Sequence, residues 1–501
     1  MKTPTAQPRP GAIAFSLLLG TLFSLLFTAC SGLTSPSVTP TPDYAALETR
    51  AIVELEARLT ARAPTPAPTP TPEEEEVVAM LEPMPTAEVA PTAEPEFFDP
   101  AMMLAYVRRA EDQSTNIVLH DIGFLTEEMI THFVEPNSIH DLKWSRDGQW
   151  LVFISSHDFV RSRNGERNIF MIRPDGTGLR MITGSYMDPE QAPGPYVTLR
   201  GQVTGAEGAC LVYAQGASSP TTTDGDGAFE LSGVPISARW ARAVCQTEDR
   251  VRQGNVDLMP VSGELPEVTI PVEAKGEGWR SVSLSRDGTL LAAVHYTWSL
   301  DDEDQRSYTY EGVLYDLNGV SLGTLELPPD TTLTGLDWSP TEDKLVGTLK
   351  GEKSTLLWQW DASGRSLGGL VEIENPEDTI LTTAQPAWSP DGSQIAFELR
   401  CQYWWGDPKY RTDLLLVPAQ SEDVRVLVES EWGTDARYPT WAADGASLYY
   451  QVSSGEPDQD FQSREGGSIW WLPVERGDPS SWADDGVSLM PAAGPPAGVV
   501  Y

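Results

Sequence analysis

Cysteine and histidine are scarce in this sequence, with four cysteines and five histidines among 501 residues. Four cysteines cannot build the disulfide framework of a small secreted domain, and none lies in a Cys-x-x-Cys pair or in a Cys/His cluster with zinc spacing. The histidines, which show no ligand spacing, are His120, His132, His140, His157 and His295. We therefore expect no metal site, and we expect the histidines to be structural or to lie on the surface.

Positive charge is also sparse. The 34 Lys and Arg residues face 73 Asp and Glu residues, which gives a formal net charge of -39. Because a surface of this sign repels phosphate backbones, no nucleic-acid partner is expected. The length exceeds what one compact core accommodates, so several domains and linkers are expected.

The usual signatures of catalytic sites are missing from the sequence. It contains no Gly-x-Ser-x-Gly nucleophile elbow, no phosphate loop and no dinucleotide-binding fingerprint. Acidic residues are so frequent that a pair with the look of a glycosidase dyad would arise by chance, and none is assigned. The sequence therefore predicts no catalytic residue, no cofactor and a protein that is not an enzyme.

The N-terminus has the layout of a secretory signal. Lys2 and Arg9 precede an uncharged apolar run at residues 11–29, which ends in small residues directly before Cys30. This resembles a bacterial lipoprotein signal, although Phe27 stands where an aliphatic residue is usual. The resemblance implies cleavage before Cys30 and lipidation of its thiol. The alternative is an uncleaved signal anchor, and both readings predict an exported chain tethered to the membrane.

The next segment, residues 30–100, is rich in Pro, Thr and Glu. Repeated proline prevents helix and sheet formation and favours extended polyproline conformations. We expect a disordered spacer that holds the folded part away from the membrane.

One motif recurs along the remainder of the chain, and its clearest copy is residues 388–397, WSPDGSQIAF. Each copy has a seven-residue step from an apolar anchor to an aliphatic residue. The five steps are Trp144 to Leu151, Leu284 to Leu291, Trp338 to Leu345, Trp388 to Ile395 and Trp441 to Leu448. A strand, a tight turn with glycine and a second strand account for the pattern, and two further strands follow each hairpin.

The spacing of the copies predicts the architecture. Leu284, Trp338, Trp388 and Trp441 follow one another at intervals of 54, 50 and 53 residues, which is typical of four-stranded β-propeller blades. Trp144 precedes Leu284 by 140 residues, so a small domain is expected between them.

These hairpins resemble the repeats of TolB-type and dipeptidyl-peptidase-type propellers, whose consensus is W-S-P-D-G. The departures are Leu284, Arg146, Arg286, Thr341-Glu342 and Ala442-Ala443. The resemblance implies an all-β propeller fold, and the strand pattern, which gives six four-stranded units, predicts a six-bladed β-propeller. The first blade lacks its own hairpin start, so we expect residues 497–501 to supply its innermost strand and to close the ring.

The inserted segment carries the sequence TDGDGAF at residues 223–229, followed by LSGVP at residues 231–235. This is similar to carboxypeptidase-regulatory-like domains, which implies a small transthyretin-type β-sandwich without catalytic residues. Asp224 and Asp226 are interpreted as a hairpin turn and not as a calcium loop, since the ligating Glu of such a loop is missing.

Cys210 and Cys245 both fall in predicted strands of the insert. Export favours a disulfide between them, and two buried free thiols are the alternative. Cys401 has no evident mate and is expected to be a free thiol.

Aromatic residues give the remaining functional lead. Tyr403, Trp404 and Trp405 stand in the link between two strands of the fifth expected blade, directly before Gly406-Asp407-Pro408. Exposed aromatic side chains there could contact a sugar or a protein partner, and packing against the neighbouring blade is the alternative.

The sequence thus predicts an exported, lipid-anchored β-propeller that acts as a non-catalytic binding or scaffold protein at the bacterial cell envelope. Its partner would be an envelope protein or a polysaccharide. The alternatives are a glycan-binding surface protein that uses the loop aromatics, and an enzyme with its site in the propeller channel. The expected segments are a signal at 1–29, a spacer at 30–100, blades one and two at 101–190, the inserted sandwich at 195–275 and blades three to six at 276–501.

Overall fold

The computed structural model describes residues 99–133, 139–158, 161–163, 165–190, 192–246, 251–261, 263–300, 305–403, 409–454, 467–475, 478–483 and 488–495. Cys30, most of the expected spacer, Trp404 and Trp405 lie outside these residues. Apart from a 3-10 turn at Pro100–Met102, every regular element of the described residues is a β-strand, so the chain is all-β as predicted. In this part of the chain no helix has the length and apolar character needed to cross a membrane.

Side chains in the turns explain why the repeated motif forms hairpins. Ser389 Oγ accepts a hydrogen bond from the N–H of Gln394 at 2.9 Å and donates one to Asp391 at 2.6 Å. Gly392 has a φ of +71°, which glycine adopts without strain. Equivalent serine–aspartate bonds join Ser145 to Asp147 and Ser285 to Asp287. The turn is therefore specified locally, by residues within five positions of one another.

The seven-residue step corresponds to a cross-strand pair that flanks each turn. In all five copies the apolar anchor lies directly opposite the aliphatic residue in an antiparallel register. These pairs are Trp144 with Leu151, Leu284 with Leu291, Trp338 with Leu345, Trp388 with Ile395 and Trp441 with Leu448.

The strands before and after the inserted segment form sets of four antiparallel strands. The first three strands of the chain are β1 (Met103–Arg109), β2 (Thr115–Asp121) and β3 (Thr126–Met129). The next set is β4 (Ile139–Trp144), β5 (Leu151–Ser155), β6 (Asn168–Ile172) and β7 (Arg180–Met181). The inserted segment contains β8 (Tyr196–Thr204), β9 (Cys210–Ala214), β10 (Thr221–Thr222), β11 (Ala228–Pro235), β12 (Trp240–Gln246), β13 (Val251–Asp257) and β14 (Val268–Pro271).

The remaining strands follow the same four-strand rhythm. A third set is β15 (Lys275–Leu284), β16 (Leu290–Leu300), β17 (Arg306–Asp316) and β18 (Ser321–Thr324). A fourth is β19 (Thr332–Trp338), β20 (Lys344–Lys350), β21 (Ser354–Asp361) and β22 (Ser366–Glu374). The last strands are β23 (Thr379–Trp388), β24 (Gln394–Tyr403), β25 (Lys409–Pro418), β26 (Arg425–Val428), β27 (Thr434–Trp441), β28 (Ser447–Ser454), β29 (Ser468–Pro473), β30 (Ser480–Ala483) and β31 (Ser488–Ala493).

The first strands of the sets enclose a common axis. In the described residues β4 contacts β15, β15 contacts β19, β19 contacts β23, β23 contacts β27, β27 contacts β31, and β31 contacts β4. The contacts close on themselves, so these strands surround a central channel. Apolar side chains fill the space between each sheet and the next; one such cluster joins Val152 and Ile169 to Val282 and Leu291.

The strand that completes the first set comes from the C-terminal part of the chain. β31 pairs antiparallel with β1, and the indole N–H of Trp144 donates to the carbonyl of Ala492 at 2.9 Å. We expected residues 497–501 in this place, but the strand is Ser488–Ala493. The difference arises because Met490 and Ala492 supply the buried apolar side chains that face the neighbouring sheets.

The inserted segment forms two sheets of its own. One has the order β10-β9-β12-β13 and the other the order β11-β8-β14, and their facing side chains share one apolar core. Cys210 and Cys245 lie opposite each other on β9 and β12, with their sulfur atoms 2.09 Å apart.

A buried arginine holds the insert against the ring of sheets. Arg242 on β12 is 1 % exposed, and its guanidinium donates to the carbonyls of Ser162 at 2.9 Å and Gly165 at 3.1 Å. Gln253 of the insert donates to Glu166 at 3.1 Å and to the carbonyl of Lys275 at 2.7 Å. Because a buried guanidinium without partners would be costly, these bonds hold Ser162, Gly165 and Glu166 against the insert.

Candidate anion-binding site at the channel mouth

The channel has two chemically different ends. At one end the first strands finish in turns such as residues 389–392, and we call it the turn end. At the opposite end the first strands begin, and we call it the arginine end. The second strand of each set runs antiparallel to the first, so its last residues also lie at the arginine end.

Three first strands carry a basic side chain at the same level of the arginine end. His140, Arg280 and Arg437 each lie four residues before the apolar anchor of their hairpin. The pairing register shifts at His140 between Ile139 and Asp141, and at Arg280 between Trp279 and Ser281. β27 has a similar shift that starts at Arg437. Such bulges interrupt the alternation of side chains along a strand and change the direction of one of them. They occur often beside functional sites.

Three further arginines reach this level from neighbouring strands. Arg109 is the last residue of β1, Arg167 directly precedes β6, and Arg400 lies near the end of β24. We call Arg109, Arg167, Arg280, Arg400 and Arg437 the arginine cluster. Arg400 and Arg437 lie on two strands of one sheet, and Arg109, Arg167 and Arg280 lie on or beside strands of three other sheets.

The arginines of the cluster lie close enough to act electrostatically on His140 and on one another. Burial, followed by the positive charges of Arg167, Arg280 and Arg109, lowers the pKa of His140 well below its ordinary value. Burial also lowers the pKa of Arg400, and the charges of Arg437 and Arg280 act in the same direction against the attraction of Glu398. His140 is therefore neutral at pH 7, and the arginines supply the positive potential.

One carboxylate balances part of this charge. Glu398 is fully buried, and its Oε2 accepts hydrogen bonds from Arg400 Nε at 3.0 Å and Nη2 at 2.7 Å. The same oxygen lies 3.9 Å from Arg437 Nε. Among the described residues neither Arg109 nor Arg280 has an ion-pair partner. Glu398 therefore holds Arg400 and lies near Arg437, whereas Arg109 and Arg280 have no such carboxylate among the described residues.

A cavity opens beside the cluster, between the ring and the long hairpin formed by β16 and β17. It has a volume of about 100 Å³, and it is lined by Glu166, Arg167, Arg280, Tyr296, Arg306, Tyr308 and Tyr310. The guanidinium of Arg280 lies over the ring of Tyr310 at 5.8 Å, and that of Arg306 lies over Trp298 at 4.5 Å. Burial raises the pKa of Glu166 above its ordinary value.

The polar groups toward the turn end are already paired. Lys143 Nζ donates to Asp337 at 3.2 Å and to the carbonyl of Leu336 at 2.9 Å. Asp337 also accepts from the N–H of Trp388 at 3.0 Å. Asp141 accepts from the N–H of Val282 at 2.9 Å. These carboxylates join neighbouring first strands, so we place the candidate site at the arginine end.

The residues singled out from the sequence have different positions in the structure. Tyr403 is half-buried and ends β24, three residues after Arg400, so it lies at the arginine end. Trp404 and Trp405 lie outside the described residues. Cys210 and Cys245 belong to the core of the insert. Within the described residues no group of three or more His, Cys, Asp or Glu side chains could hold a metal ion.

Sequence reasoning missed the arginine cluster. The signal was available, because aligning the five hairpin copies on their anchors places His140, Arg280 and Arg437 in one column. Arg109, Arg167 and Arg400 have no such marker, since they reach the site from other strands.

Comparisons with known proteins found no matching family model and no matching curated protein. Solved structures that resemble the chain include the periplasmic gluconolactonase of Pseudomonas aeruginosa, with 13 % identity, a TM-score of 0.36 and coverage of 78 % of this chain and 97 % of that one. Oligogalacturonate lyase from Vibrio parahaemolyticus has 12 % identity, a TM-score of 0.31 and coverage of 76 % and 85 %. A chain of the nidogen/laminin complex has 9 % identity, a TM-score of 0.39 and coverage of 78 % and 97 %.

These comparisons correct one expectation. The prediction that the chain is not an enzyme is wrong as an inference from its sequence pattern, because a gluconolactonase and a lyase are among the structures that it resembles. Missing catalytic motifs do not exclude catalysis in a protein of this kind. At these identities and TM-scores the likeness assigns no activity or substrate to the chain.

Proposed function

We propose that this chain is an exported envelope protein whose central task is to bind an anionic ligand at the arginine end of its channel. In this proposal the six sets of strands are the blades of a six-bladed β-propeller, and the insert is a β-sandwich between blades two and three. Lipidation at Cys30 would tether the protein, and the proline-rich segment would hold the propeller away from the membrane. The ligand would belong to an envelope protein or polysaccharide.

The observation that carries the proposal is the convergence of the arginine cluster at one end of the channel. The chain as a whole has a formal net charge of -39, so positive charge concentrated at one point is contrary to its general composition. Arginine binds carboxylate and phosphate groups through two parallel N–H donors, which makes it suited to anion recognition. A cleft with walls of low polarizability also focuses the field of such a cluster and favours entry of anions.

The position of Arg280 supports a binding role over a purely structural one. It sits at a bulge on a first strand, it lines the cavity, and in the described part of the chain it has no ion-pair partner. Arg400, by contrast, is held by the carboxylate of Glu398. An anion in the cavity would supply this missing partner.

The test is calorimetric titration of the full chain with pyrophosphate, hexaglutamate and a uronic-acid hexasaccharide at low and moderate salt. We expect at least one of these anions to bind, with an affinity that falls as salt rises. Arg280→Ala should weaken binding about tenfold or more, the loss of one charge-assisted contact. Arg365→Ala is the matched control, since Arg365 is 72 % exposed at a turn and pairs with Asp361. Equal binding by both variants, or no binding of any probe, would refute the proposal.

A further inference from the structure

The hairpin of β16 and β17 has two faces of different chemistry beyond its blade. Tyr296 lies opposite Tyr310, and Trp298 lies opposite Tyr308. The residues between them alternate to the other face and all carry hydroxyl groups. They are Thr297, Ser299, Ser307 and Thr309. One face is therefore aromatic, and it is the face that carries Tyr296, Tyr308 and Tyr310 into the cavity with Arg280.

The aromatic face contains two buried side chains, Tyr296 and Trp298, and one exposed ring, Tyr308. Tyr296 and Trp298 are buried, and the Trp298 indole N–H donates to Glu166 at 3.0 Å. Tyr308 is 37 % exposed, and its ring lies 6.1 Å from that of Tyr310 at an angle of only 20°. Two nearly parallel tyrosine rings are thus presented at the edge of a cavity that Arg167 and Arg280 line.

We propose that the anion bound at the arginine end is an acidic saccharide, whose carboxylate enters the cavity while a sugar ring packs on Tyr308 and Tyr310. This inference rests on the proposed anion-binding function and specifies its ligand class. Sugar rings have a face of C–H groups that packs on aromatic side chains, and their carboxylates accept paired donors from arginine.

The size of the cavity agrees with a ligand whose carboxylate lies inside it and whose sugar ring lies outside. A volume of about 100 Å³ holds roughly three water molecules, enough space for a carboxylate and its hydrogen-bond partners but not for a chain of sugars. The remainder of the ligand must stay outside, at the exposed ring of Tyr308. An acidic peptide would also place carboxylates near Arg280, but its flexible aliphatic side chains have no ring face for the tyrosines. The paired tyrosines therefore favour the saccharide.

The experiment compares three hexameric probes on the full chain by calorimetry: an alginate hexamer, hexaglutamate and the neutral cellohexaose. We expect the alginate hexamer to bind more tightly than hexaglutamate by about tenfold or more. Tyr308→Ala should weaken alginate binding about fivefold and leave hexaglutamate unchanged, whereas Tyr308→Phe, which keeps the ring, should bind like the unaltered protein. Phe124→Ala is the aromatic control, since Phe124 is 81 % exposed on a turn outside this face.

The outcomes separate the two proposals. Equal binding of alginate and hexaglutamate that is insensitive to Tyr308→Ala but sensitive to Arg280→Ala would overturn the saccharide and retain the anion site. Binding of cellohexaose as tight as that of alginate would overturn both proposals, because charge would then play no part. If Tyr308→Ala and Tyr308→Phe weakened alginate binding equally, the packing role of the ring would also be overturned.

Discussion

The backbone N–H of Tyr438 donates to the carboxylate of Glu398 at 2.8 Å, so a buried acid on β24 holds the strand β27. Tyr438 has a φ of 55° at this point, where the register of β27 shifts. The same carboxylate binds Arg400 and lies close to Arg437. One side chain therefore fixes both the strand geometry and two members of the arginine cluster.

Replacing Glu398 with glutamine should destabilise the protein. The amide keeps an acceptor for Tyr438, but it leaves Arg400 and Arg437 without a counter-charge in a buried place. We expect the free energy of unfolding to fall by about 3 kcal/mol, as measured by urea denaturation. Glu429→Gln is the control, since Glu429 pairs with Arg411 at 3.2 Å but is 70 % exposed, and its loss should cost under about 1 kcal/mol. Equal losses in the two variants would contradict the role of Glu398.

His157 should make the protein sensitive to acid. Its ring stacks on Phe133 at 3.7 Å and lies 4.1 Å from Phe170, and burial lowers its pKa to about 3. An unfolded histidine titrates near pH 6.5, so below that pH the unfolded state takes up a proton that the folded state does not. The contribution of His157 to the free energy of unfolding is therefore fully present above about pH 6.5. It is lost as the pH decreases toward 3, by at most about 1.4 kcal/mol per pH unit.

The variant His157→Phe isolates this effect. It keeps an aromatic ring in the stack and removes the titrating group. Urea midpoints measured between pH 7 and pH 4 should fall less steeply for the variant than for the unaltered protein. Parallel pH profiles would show that His157 contributes nothing to the acid sensitivity.

Removal of β31 should destabilise the ring, whereas removal of the residues after it should not. Deleting residues 488–501 takes away Met490 and Ala492, and it leaves the Trp144 indole without its acceptor. Burial and hydrogen bonds of this size contribute about 3–5 kcal/mol, so the melting temperature should fall by about 10 °C or more. Deleting residues 496–501 is the control, with an expected change within about 2 °C. Calorimetric scans that fail to distinguish the two deletions would exclude β31 as the closing strand.

The disulfide between Cys210 and Cys245 should stabilise the insert. Replacing both with alanine is expected to lower the free energy of unfolding of the insert by about 2–4 kcal/mol. Dithiothreitol should lower the stability of the unaltered protein and of Cys401→Ala, because Cys401 is a free thiol, but not that of the double variant. Equal sensitivity of all three proteins to the reductant would show that the bond does not form.

Much of the local fold was predictable because its causes are local. The serine, aspartate and glycine around Ser389 build a turn from bonds that span five residues, and the cross-strand pair of Trp388 with Ile395 follows from it. The all-β class could be predicted for the same reason. The closing strand was misplaced by several residues, since the choice between residues 488–493 and 497–501 depends on which apolar side chains fit between two distant sheets.

The sequence by itself determined the repeated hairpin, its spacing and the long interval that the insert occupies, since turn chemistry and alternation act between neighbouring residues. Only the tertiary structure decided that Arg109, Arg167, Arg280, Arg400 and Arg437 meet at one end of a channel. These residues lie on or beside strands of four sheets and are brought together by closure of the ring, which no local pattern records. The candidate site is for that reason a property of the closed ring, and no single copy of the repeat contains it.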